Sequence, residues 1–81
     1  MKKILFFNAS WCGPCKQMKP HIDELISEGY QIQDVDIDRN KDLAEQYNVR
    51  SVPTTVIEEN GIEVDRFIGA TSKQSVLQRI S

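Results

Sequence analysis

Cysteine is scarce in this chain, with two in 81 residues alongside a single histidine and a single tryptophan. So small a set excludes a disulfide-stapled scaffold, which relies on several pairs. It also leaves too few soft donors for a zinc site, because four ligands are needed and carboxylates would have to complete the set. No metal and no cofactor is expected, and His21, which has no second ligand near it, reads as a surface residue. Excess basic charge is missing as well: Lys and Arg total 10 against 12 Asp and Glu, which offers no basic face for nucleic acid. The longest apolar run is Ile4-Leu5-Phe6-Phe7, whereas a membrane span takes about 20 residues and the apolar part of an export signal about 7–15. That run therefore reads as a strand, and the chain is expected in the cytoplasm without membrane contact. Apolar and charged fractions of 40% and 27% are ordinary, so residues 1–81 are expected to form one small globular domain.

The two cysteines that are present stand three positions apart in Trp11-Cys12-Gly13-Pro14-Cys15-Lys16. Residues at i and i+3 of a helix have Cβ atoms about 5–6 Å apart, and a disulfide spans Cα atoms about 4.4–6.8 Å apart, so the pair can close and reopen with little backbone movement. Pro14 has a fixed φ and no N–H, which suits the first turn of a helix. A helix beginning here directs free N–H groups and its positive dipole end at Cys12, favouring the thiolate. Cys12 is the expected nucleophile. Cys15, one turn further in, is expected to be more buried and to act as the resolving thiol.

The remaining chain supplies elements around that pair. Met18, Ile22, Leu25 and Ile26 form one helical stripe ending near Gly29, interrupted by Pro20, which is expected to kink it. Tyr30 to Ile37 reads as a strand parallel to the first, through a right-handed crossover. Asn40 is placed to cap a short helix carrying Leu43, Ala44 and Tyr47, which Asn48 can end in a left-handed conformation. Thr54–Ile57 and Ile62–Ile68 flank Asn60-Gly61, a strong hairpin signal. Thr71 with Gln74 forms a capping box for a last helix that buries Val76, Leu77 and Ile80.

Trp11-Cys12-Gly13-Pro14-Cys15-Lys16 resembles the thioredoxin active-site signature, and the order β-α-β-α-β-β-α is similar to a minimal thioredoxin-like fold, a four-stranded mixed sheet flanked by three helices. In size the chain is closest to glutaredoxins, and it lacks an N-terminal strand and helix of a full thioredoxin. The resemblance implies a cis Val52–Pro53 bond beside the cysteines, with the backbone of Val52 free to pair with a substrate strand; the plainer reading is that Pro53 only starts an edge strand. It implies substrate contacts at Trp11, Gly13, Pro14, Val52, Pro53, Gly69 and Ala70. It also implies a monomer that reduces protein disulfides and is re-reduced by a thioredoxin-reductase-type donor. Two departures stand out. Phe6 occupies the position of the family's buried Asp, and Asp34 that of its Lys partner, so the usual proton relay is absent. Asp34, if turned inward, is the candidate proton acceptor for Cys15. The alternatives are a glutathione-using glutaredoxin, for which Gly69-Ala70 lacks the expected Gly-Gly and following Asp, and a non-catalytic binding subunit on the same fold.

Overall fold

A computed structural model describes residues 2–80. Strand β1 (Lys2–Asn8) carries the apolar run and is buried throughout Ile4–Phe7. Alternate side chains of a strand point to opposite faces, and here each face has its own core. Ile4 and Phe6 join Met18, Ile22, Leu25, Ile57 and Val76 on one side, while Leu5 and Phe7 join Val35, Ala44 and Val56 on the other. Strand β2 (Ile32–Asp36) pairs with β1 in parallel, Phe6 opposite Asp34 and Asn8 opposite Asp36. Strand β3 (Thr54–Glu59) pairs antiparallel on the other side of β1, and β4 (Ile62–Ile68) continues from β3. The sheet order is β2-β1-β3-β4. Strands parallel and antiparallel to β1 make it the mixed sheet that the resemblance implies.

Helix α1 (Gly13–Ser27) and helix α3 (Lys73–Ile80) share the face of Ile4 and Phe6, through Met18, Ile22, Leu25 and Val76. Lys73 ties them together by ion pairs to Glu24 and Glu28. The short helix α2 (Lys41–Gln46) covers the opposite face with Ala44. The sequence reading holds in its elements and shifts in some details. Ile26 is exposed, because the turn after Leu25 carries it off the stripe that Met18, Ile22 and Leu25 bury. Strand β2 is shorter than Tyr30–Ile37. The last helix is capped one residue later than the Thr71/Gln74 box: Ser72 Oγ accepts from the Ser75 N–H, and Lys73 opens the helix. Asn40 does precede α2, but its side chain donates to the Asp36 carbonyl and makes no cap bond. Asn48 has φ +57° and the Asn60-Gly61 turn has φ +55° and +82°, the left-handed conformations those residue types tolerate.

One buried acid links α2 to the hairpin. Glu58 sits where the β3–β4 register shifts and is 8% exposed. Tyr47, at the end of α2, donates its hydroxyl to Glu58, stacks obliquely on Phe7, and accepts from Arg66 at its backbone carbonyl. The bond to Glu58, followed by burial, holds the Tyr47 phenol at about 12. The folded state thus retains this proton more tightly than the unfolded chain does. The resulting stabilisation is complete below about pH 10, the ordinary tyrosine value, and is lost as pH rises through about 12. Tyr47→Phe leaves a buried carboxylate without its donor, so it is expected to lower stability by about 1–3 kcal/mol at neutral pH. Urea unfolding from pH 7 to 12 checks this, and the variant is expected to lose less stability than the parent at the alkaline end.

Candidate active site

Burial of β1 on both faces brings the chain to the end of this interior strand with its next residues committed to a turn. Ala9 is buried, and its carbonyl accepts from the Cys12 N–H at 3.1 Å. Cys12 has extended backbone, φ −89° and ψ 111°, and serves as the N-cap of α1. A helix leaves its first N–H groups without intrahelical partners. Here Cys12 Sγ accepts from the Cys15 N–H at 3.1 Å, so the sulfur fills the place usually taken by a Ser or Asp oxygen. Pro14 lies in the first turn, where its missing N–H is not needed.

Cys12 and Cys15 form a disulfide with Cα atoms 5.3 Å apart. Burial does not separate the two, since Cys12 is 4% and Cys15 3% exposed. What distinguishes them is position. Cys12 receives a backbone N–H at the positive end of α1, and a thiolate there is stabilised by both. Cys15 contributes that N–H and lies inside the helix.

The other residues proposed from the sequence gather around this pair to different degrees. Val52 packs on the buried cluster of Ala9, Cys12 and Cys15, as does Ile37. The Val52–Pro53 peptide bond is cis. Gly69, with φ +94°, donates its N–H to the Pro53 carbonyl at 2.8 Å, so the two loops are joined directly. Gly13, Pro14 and Ala70 are exposed. Trp11 is 66% exposed and presents an open apolar surface, and its indole Nε1 donates to Asp38 at 2.9 Å. Asp38 received no role in the sequence reading, because nothing local announces that residues 11 and 38 meet. Ile68 was also missed: read as a strand residue, it is 71% exposed immediately before Gly69 and opposite Thr54.

Asp34 does not turn inward. Its two carboxylate oxygens are taken by Asn8 Nδ2 and by Lys19 Nζ, and its side chain is 34% exposed. The reason is the pairing itself: Phe6 fills the inner face opposite it, and Lys19 on α1 offers a cation outside. That hydrogen bond, with the Asp34 charge, raises the Lys19 pKa above the ordinary lysine value against the opposing effect of burial. Asp34 is therefore a structural anion.

A cysteine pair that opens and closes at the start of a helix, beside a proline loop and an apolar rim, defines a thiol-disulfide oxidoreductase. The thioredoxin family model matches residues 2–81. The chain is 41% identical over 80 residues to the thioredoxin of Chlamydia trachomatis, covering 96% of this chain and 78% of that protein. It is 36% identical over 81 residues to the bifunctional thioredoxin reductase/thioredoxin of Mycobacterium leprae, of which the match makes up 18%. The crystal structure of Fasciola hepatica thioredoxin superposes with a TM-score of 0.89 at 36% identity, covering 98% of this chain and 77% of that one. The chain belongs to the thioredoxin family, and the comparisons do not favour the glutaredoxin alternative.

In the reduced protein, Cys12 is expected to be alkylated at least about tenfold faster than Cys15 at pH 7, because only its thiolate is held by the helix start. Peptide mapping after brief iodoacetamide treatment measures this; equal labelling would remove the distinction between the two thiols.

Proposed function

We propose that this chain, acting as a single monomeric domain, reduces protein disulfides in the cytoplasm by a cycle in which Cys12 attacks and Cys15 resolves. The observation that carries this reading is the Cys15 N–H on Cys12 Sγ at 3.1 Å, which prepares one thiol of the pair and not the other. Cys12 thiolate attacks a substrate disulfide, forming a mixed disulfide and releasing the first substrate thiolate. Cys15 then attacks Cys12 Sγ, releasing the second and leaving the Cys12–Cys15 disulfide. The substrate segment lies across Gly13 and Pro14, between Trp11 on one side and Val52, Pro53, Gly69 and Ala70 on the other. Ile68 extends that apolar rim. Extended pairing with the backbone of Val52 positions the substrate sulfur.

Re-reduction is assigned to a thioredoxin-reductase-type donor. The fusion of a reductase with a thioredoxin in the Mycobacterium leprae protein supports a donor of this class. Among the described residues no helix is long and apolar enough to cross a membrane.

The cycle is tested by turbidimetric reduction of insulin with dithiothreitol, then with NADPH and a thioredoxin reductase, and separately with glutathione. Wild-type protein is expected to accelerate the reaction with the first two donors. Cys12→Ser is expected to reduce it to the uncatalysed background, and Cys15→Ser to accumulate a mixed disulfide with substrate on Cys12. No acceleration by wild type would leave a redox-sensitive binding module, and turnover sustained only by glutathione would move the donor assignment.

A further inference from the structure

The resolving step must take a proton from Cys15, and the usual place for an acceptor behind it holds Phe6, which is fully buried. Phe6 cannot accept a proton, and Asp34 is held outside by Asn8 and Lys19. A cleft of about 250 Å³, open to solvent, nevertheless reaches Cys15 from the side. Its walls include Asn8, Ser10, Lys16, Lys19 and Asp36.

Of these groups only Asp36 is an anion. It stands opposite Asn8 at the last pair of the β1–β2 ladder, one pair beyond Val35 and two beyond Asp34, at the end nearest the cysteine motif. One of its oxygens, Oδ1, accepts from the Asp38 N–H at 2.9 Å, and among the described residues the other has no donor. Its backbone carbonyl is occupied separately by the Arg39 and Asn40 N–H groups. The Asp36 side chain is thus fixed in direction by one bond while keeping a lone oxygen available. The charged groups around it are Lys16 and Lys19 from α1, Asp34 from β2 and Asp38 from the following turn. Lys19 feels both Asp34 and Asp36, so its ammonium partly balances the acidic pair.

We infer that Asp36, acting through water in this cleft, accepts the proton of Cys15 during resolution of the mixed disulfide. The inference rests on the dithiol cycle proposed above. The Cys15 S–H bond breaks, its proton passes through water to the Asp36 carboxylate, and the thiolate attacks Cys12 Sγ. The bond between Cys12 and the substrate sulfur then breaks, the substrate leaves as a thiolate, and Asp36 returns its proton to solvent or to that leaving group. No outside oxidant or reductant is needed for this step. A general base reached through one water suits such a transfer.

Rapid mixing of reduced protein with an aromatic disulfide whose thiol product is coloured separates the two steps. One colour equivalent appears when Cys12 is captured and a second when Cys15 resolves. In Asp36→Asn the amide oxygen can still accept from the Asp38 N–H, so the first phase and the urea midpoint are expected to match wild type. The second phase is expected to slow by at least about tenfold, and the acid limb of its pH profile to disappear. Asp36→Glu is expected to recover most of the rate, and Asp34→Asn to leave it unchanged. A second phase of normal rate and normal pH profile in Asp36→Asn would overturn the role of Asp36 while leaving the cycle intact. Absence of the second phase from the wild-type protein would instead overturn the cycle. If Asp36→Asn does not fold, the wild-type pH profile decides: a second phase without an acid limb of its own, relative to the first, removes the carboxylate.

Discussion

Strand β1 has a hydrogen-bonded neighbour on each side and a covering helix layer on each face, and this double enclosure is the constraint the site depends on. Ile4 and Phe6 cannot exchange places with Leu5 and Phe7 without moving one core into the other, since a one-residue slip reverses every side chain of a strand. Ala9, and with it the start of α1, is therefore delivered to one place. The N-cap role of Cys12 follows from that placement, because the helix's first N–H groups must find an acceptor and the sulfur is the group present. The surroundings of the Cys12 sulfur are thus set by how a helix begins, and by a strand that has no freedom to shift.

The packing on either side of the sheet shows a division of labour. On the α1 and α3 face, apolar packing is continuous and Phe6 lies fully buried within it. On the α2 face, the core is smaller and is supplemented by polar contacts, with Tyr47 meeting the buried Glu58 and Arg66 bridging Glu63 and the Tyr47 carbonyl. On the solvent side of the molecule, β2 carries Asp34 and Asp36 toward its end and Asp38 follows. An apolar ring in the core carries no desolvation cost, whereas a buried carboxylate must be paired or neutralised.

Most of the fold was legible because its signals are local. The i, i+3 cysteine pair, Pro14, the apolar run Ile4–Phe7, and Asn60-Gly61 each dictate a conformation within a few residues. The element order follows from them together with the handedness of the crossover. Illegible features depended on distance in the chain. Nothing in the surroundings of Asp38 announces a bond to Trp11, and Asp34 and Asp36 look alike until the ladder places Phe6 opposite one and Asn8 opposite the other. The cap at Ser72 in place of Thr71 was undecidable for another reason. Both residues offer a hydroxyl, and only the docking of Val76 against α1 selects where the helix starts.

The joining of Gly69 to Pro53, and of Pro53's loop to the cysteine cluster through Val52, has a bearing on how the molecule comes into being. The hairpin of β3 and β4 closes over two residues and can form early, whereas pairing β3 with β1 joins segments that lie about fifty positions apart, as in Phe7 opposite Thr54. An unfinished chain already carries both thiols and can oxidise them. Until β3 has paired with β1 it lacks the Val52–Pro53 loop against them, and its thiols are those of an ordinary dithiol peptide.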